Sequence, residues 1–246
     1  MTIFDDESEI ISLFQDIPAD KIFIDETLVD LVDCFNSIHD EEKWKDWINS
    51  SGKNELPPDF YNDKLKLMMD VMRIDDHAYM DSNGKIINPT LQKESKIYKQ
   101  LRETFGEDCK IIINAPTDLS TEEDHNFIYY LNNFKRVVSK HNGAIENYRK
   151  NHPGYKTIFM VLDESSPYIY VKRKNRTSGL LHLWFIDYNF ISVINNIKAD
   201  YVIWITPYKD NMNFEHNLPY ASIYKVGNDY SEYKKYNRFK MKPYEK

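Results

Sequence analysis

The chain has 246 residues, of which 41% are hydrophobic, 29% charged and 14% aromatic, and its net charge is −7. The composition is globular rather than disordered, and the length allows one large domain or two small ones. The negative charge argues against a broad electrostatic grip on nucleic acid. The two cysteines, Cys34 and Cys109, exclude a disulfide framework and a zinc site built on cysteine pairs.

No apolar run approaches the roughly 20 residues that a bilayer-spanning helix needs. The N-terminus, MTIFDDESEI, lacks the basic and apolar regions of a secretory signal. A cytoplasmic chain with no membrane partner is expected. Charge is unevenly spread. The N-terminal region is acidic, whereas Lys172-Arg173-Lys174-Asn175-Arg176 and the tail YKKYNRFKMKPYEK are basic. The two ends suit different partners, or they are ordinary surface charge.

In chain order, residues 5–17 place Ile10, Leu13, Phe14 and Ile17 on one helical face. Residues 26–38 repeat the pattern with Leu28, Leu31, Val32, Phe35 and Ile38, and Asp25 suits the N-cap. A short helix over 40–49 carries Trp44, Trp47 and Ile48, and Ser50-Ser51-Gly52 breaks it. Pro57-Pro58 opens an extended segment. Residues 65–74 alternate as a strand does: Leu65, Leu67, Met69 and Val71 on one face, Met68, Asp70 and Met72 on the other. Asp81-Ser82-Asn83-Gly84 is a turn.

Pro89 starts a helix that continues over 90–105, with Ile97, Leu101 and Phe105 inward. Lys110–Ile113 reads as a buried strand. Residues 121–141 carry the clearest helical stripe, Phe127, Leu131, Phe134 and Val138, and the helix can run past Gly143. Strands are expected at Thr157–Leu162, Pro167–Lys172, Leu181–Ile186, Tyr201–Thr206 and Ala221–Val226, with a helix near 188–197. The alternation predicts an α/β fold: a central mixed sheet flanked by helices. One domain is expected, with a helical portion (1–50), a core (51–210) and a basic aromatic tail (211–246).

The most suggestive stretch is residues 57–76, PPDFYNDKLKLMMDVMRIDD. Carboxylates on two neighbouring strands supply the hard oxygen ligands that Mg²⁺ or Mn²⁺ needs for phosphodiester hydrolysis. Asp59 and Asp70 meet this condition if the loop between them is wide. A tight turn at Asn62-Asp63 would put them out of register.

Pro58, Asp59 and Asp70 resemble the motif of the PD-(D/E)XK nuclease superfamily, and the order of elements over residues 25–115 is similar to that family's core. The resemblance implies a restriction-endonuclease-like core, Mg²⁺ or Mn²⁺ held by Asp59 and Asp70, and DNA or RNA as substrate. The chain departs from the motif at position 72, where Met72 stands in place of the family lysine. Arg73 is adjacent but faces the other way. Lys93 or Lys96 on the next helix are candidate replacements, Asp76 and His77 candidate helpers, and Glu26 a candidate acid on the first helix. Glu94 and Gln92 can line the site or face solvent.

Other clusters are weaker. Asp163-Glu164-Ser165-Ser166 sits at a strand end, where carboxylates serve catalysis in α/β folds, but a turn into Pro167 explains it as well. Tyr208 and Lys209 follow another strand and can contact a phosphate or cover the sheet edge. The histidines 39, 125, 141, 152, 182 and 216 form no His-x-x-x-His pair. No phosphate-binding glycine loop is present. The tail interleaves tyrosines with Lys234, Lys235 and Arg238, a pattern that suits single-stranded nucleic acid or an arm packed on its own domain.

Two functional expectations follow. The first is a metal-dependent nuclease in which Asp59 and Asp70 hold the metal, Arg73, Asp76, His77 or Lys96 assist, and Lys172, Arg173, Lys174, Arg176, Lys234, Lys235 and Arg238 hold the phosphate backbone. The second is a non-enzymatic acidic protein of phage or mobile-element type. It would bind a basic protein partner and block a nucleic-acid-binding complex. A dimerising domain with exposed aromatics is a third possibility. The sequence does not fix the oligomeric state.

Overall fold

The computed structural model describes residues 7–51, 58–75, 78–106, 127–165, 168–173, 176–181, 187–207 and 219–228. The expected strand Lys110–Ile113 lies outside these residues, as do Asp76, His77, Lys174, Tyr208, Lys209, Lys234, Lys235 and Arg238.

The elements run α1 (Glu7–Gln15), β1 (Ile22–Phe23), α2 (Val29–His39), α3 (Glu41–Trp44), β2 (Ile48–Asn49), β3 (Phe60–Asn62), β4 (Leu67–Ile74), β5 (Tyr79–Met80), β6 (Ile86–Ile87) and α4 (Pro89–Phe105). They continue with α5 (Phe127–Asn151), β7 (Lys156–Asp163), β8 (Tyr168–Arg173), β9 (Arg176–Leu181), α6 (Tyr188–Ile194), β10 (Tyr201–Ile205) and β11 (Ala221–Lys225). Seven strands form one mixed sheet in the order β1-β11-β10-β7-β4-β3-β2. Its centre, β10-β7-β4, is parallel, while β11, β3 and β2 pair antiparallel with their inner neighbours. This is the expected α/β architecture, a mixed sheet between helices.

Period-two alternation divides the sheet into two cores. On one face Leu67, Met69, Val71, Ile158, Met160, Leu162, Ile203 and Ile205 pack with Ile10, Phe14, Leu31, Cys34 and Ile38 of α1 and α2. On the other, Met68, Met72, Phe159, Val161, Val202 and Trp204 pack with Phe127, Phe134, Val138 and Phe190 of α5 and α6. The helical N-terminal portion therefore shares a core with the sheet.

Several local expectations are corrected. Asp25 does not cap α2: its Oδ1 accepts from the amide and hydroxyl of Thr27, and Leu28 precedes the helix without a side-chain cap. The third helix stops at Trp44, and Trp44 and Trp47 stack with ring centroids 5.4 Å apart. On α4, Ile97 and Leu101 are half-buried and Phe105 is exposed, so this helix buries no described side chain. The β8–β9 hairpin closes earlier than expected and brings Lys172, Arg173 and Arg176 to its turn. Among the described residues no helix is long and apolar enough to cross a membrane.

Candidate functional site

The turn between β3 and β4 decides whether the two aspartates meet. The side chain of Asn62 accepts from the amides of Lys64 and Leu65, both at 3.0 Å, and Lys66 closes the turn in the left-handed region with φ 54°. The connection is therefore wider than a two-residue turn at Asn62-Asp63. It pairs Phe60 with Met69 and Tyr61 with Met68. One step further along the same register, Asp59 faces Asp70.

Each aspartate is held from a different side. The carbonyl of Asp59 accepts from the amides of Ser50 and Ser51 at 2.8 and 3.1 Å, which ties the Pro58-Asp59 segment to the end of β2. Its Oδ2 accepts from the Val71 amide at 2.8 Å, in place of a backbone ladder bond. Asp70 is buried at 3% exposure and points to the α5 face. Its Oδ2 takes Nδ1 of His141 at 2.5 Å and the Tyr148 hydroxyl at 2.9 Å.

The two carboxyl groups lie close enough to act on each other directly. Burial, and then the charge of Asp70, push the Asp59 carboxyl up to about 7. Two facing carboxylates cannot both ionise cheaply, so the pair retains a proton well above the ordinary carboxylate range. Burial and the Asp70 carboxylate also push the Tyr148 phenol upward, so it stays a donor. Glu7, at the start of α1, adds a smaller repulsion at Asp59, and its carboxylate accepts from the Ser51 hydroxyl at 2.7 Å.

The other predicted site residues do not join the pair. Met72, where the resemblance led a lysine to be expected, is 2% exposed and packs into the α5 core. Arg73 makes a two-pronged bond to Glu164, Nε to Oε2 at 2.9 Å and Nη2 to Oε1 at 2.5 Å. It is therefore committed to β7 rather than to Asp70. Lys93 and Lys96 are exposed on α4, and neither is among the main influences on Asp59. Glu26 is exposed before α2; the acid of the N-terminal helices that acts on Asp59 is Glu7. Gln92 is exposed, and the side chain of Glu94 lies outside the described residues.

Sequence reasoning did not single out His141 and Tyr148. Both continue the buried stripe of α5, and a polar group inside such a stripe is the signal that could have found them.

Asp163 is fully buried at the end of β7. It accepts from the Tyr130 hydroxyl at 2.6 Å, Trp204 Nε1 at 3.0 Å and the Ser165 amide at 3.0 Å. These neutral donors make it an anchor between α5, β7 and β10. Among the described residues no group of three or more His, Cys, Asp or Glu is placed to hold a metal ion. The Asp59–Asp70 pair thus offers two protein carboxylates. That donor set fits Mg²⁺ or Mn²⁺, because such ions keep several waters and take one or two carboxylates together with substrate phosphate.

Comparison with protein-family models, with curated proteins and with solved structures finds no match.

Proposed function

We propose that the chain is a metal-dependent phosphodiesterase acting on DNA or RNA, built on the Asp59–Asp70 pair. The observation that carries this reading is the register that sets the two carboxylates face to face across β3 and β4. A divalent cation bound there would polarise a phosphate and lower the pKa of a water. Asp59 and Asp70 would hold the ion. The Ser50, Ser51 and Val71 amides fix Asp59, and His141 and Tyr148 fix Asp70. The β8–β9 hairpin carries Lys172, Arg173 and Arg176 next to its turn, residue types that would suit a phosphate backbone.

The test is incubation of the full chain with single- and double-stranded DNA and RNA in Mg²⁺, Mn²⁺ or EDTA. Cleavage is expected with metal and not with EDTA. It should be lost in Asp70→Ala and in the closer isostere Asp70→Asn, with folding checked by circular dichroism. No cleavage of any substrate by the wild-type chain would refute the proposal.

One observation favours a second reading. The lysine position is filled by a buried methionine, and Arg73 is tied to Glu164. A nuclease-like scaffold without catalysis, presenting acidic surface to a basic protein partner, accounts for that departure. A stable complex with such a partner that survives Asp70→Asn would support this reading.

A further inference from the structure

The Asp59–Asp70 pair is tied to α5 on one side only. His141 and Tyr148 are seven residues apart, two turns of helix, and so share one face of α5. Both reach the same atom, Oδ2 of Asp70. From β4, next to Asp70, the Val71 amide donates to Oδ2 of Asp59 across the strands. No hydrogen-bond donor among the described residues reaches Oδ1 of either.

A carboxylate that hung free would present either oxygen to an ion and would spend side-chain entropy on binding. Here the choice is already made. We propose that His141 and Tyr148 are positioning residues: by occupying Oδ2 of Asp70 they leave its Oδ1 as the oxygen open to a divalent cation shared with Asp59. This rests on the metal-site reading above. It adds that the site depends on a helix some 70 residues downstream of the motif, through the His141–Asp70 separation of 71 and the Tyr148–Asp70 separation of 78 positions. Groups that orient a metal ligand are typically worth about 10- to 100-fold in affinity.

The experiment titrates Mn²⁺ alone into the full chain by calorimetry, for wild type, Tyr148→Phe, His141→Ala and His141→Asn. Melting curves in EDTA run alongside. Tyr148→Phe and His141→Ala are expected to weaken Mn²⁺ binding by about tenfold or more. His141→Asn is expected to recover much of the loss, because its amide nitrogen lies close to where Nδ1 was. If the variants melt at lower temperature but bind Mn²⁺ as wild type does, the two residues are structural supports and the positioning role is refuted. Failure of His141→Asn to recover affinity removes the hydrogen-bond donor as the cause and overturns the role of His141. If the wild-type chain itself binds no Mn²⁺, the metal site falls and this inference with it.

Discussion

Asp59→Asn is expected to stabilise the protein at pH 8 and to do so considerably less at pH 5. The Asp59 carboxyl is pushed up to about 7, from an ordinary 3.8. A carboxyl whose folded pKa lies above its unfolded value contributes stability that is complete below its unfolded pKa. That contribution is lost as the pH rises through the folded value. The window is therefore pH 4 to 8, with stability falling across it. Fully expressed, a shift of roughly three units corresponds to about 4 kcal/mol. Asp59 is partly open to water and shares its proton with Asp70, which brings the expected loss to about 2 kcal/mol. Asparagine imitates the protonated acid: one atom accepts from the Val71 amide and the other donates to Asp70. At pH 8 the variant should escape the loss and melt about 4–8 °C above wild type, given the 2–4 °C per kcal/mol usual for chains of this size. The assay is urea denaturation and thermal melting of both proteins in EDTA at pH 5 and pH 8. A variant no more stable than wild type at pH 8 would show that the pair does not retain its proton, and would refute the reasoning.

Two core substitutions test the neighbouring assignments. Met72→Lys should lower stability by about 3 kcal/mol or more in chemical denaturation, because Met72 is 2% exposed within the α5 core. A variant as stable as wild type would show instead that the carboxylate pair accepts an ammonium, against the packing account. Asp163→Ala should cost about 3–5 kcal/mol, since it strips the Tyr130 hydroxyl and Trp204 Nε1 of a shared partner in the core. A loss below about 1 kcal/mol would mean that those donors find water or another acceptor.

The sequence made the alternation of β4 legible, because side chains on a strand point to opposite faces with period two. The split of Met69 and Val71 from Met68 and Met72 follows directly. The stripe of α5 was legible for the same kind of reason: Phe127, Leu131, Phe134 and Val138 are all buried. The register of Asp59 against Asp70 was not. It depends on an Asn62 side chain bonding two amides and on a left-handed Lys66, and no pattern of hydrophobicity encodes either. The periodicity of α4 gave a face but not something for that face to touch, and Phe105 is 65% exposed. Glu7, His141 and Tyr148 reach the pair only through tertiary packing, from segments about 50 residues before it and 70 residues after it.

Among the described residues no lysine or arginine stands at the pair, and this bears on both functional readings. Two facing carboxylates carry two negative charges in a largely buried site, and that charge must be balanced. In a motif with lysine, an ammonium shares this task. Here Met72 offers none, Arg73 is spent on Glu164, and Lys96 is exposed on α4. Among the described residues the charge is then balanced by a proton, which the pair retains to about pH 7, beside the His141 ring on Asp70 Oδ2. On the proposed reading a divalent cation must displace that proton, so its affinity rises with pH. An inert scaffold has no such coupling: its pair would lose the proton above neutrality with no gain from added metal. Mn²⁺ should therefore restore at pH 8 the stability that the wild-type chain loses between pH 5 and pH 8, and should do so for wild type but not for Asp59→Asn. Equal stabilisation of the two proteins by Mn²⁺ would place the ion elsewhere and leave the pair a structural one.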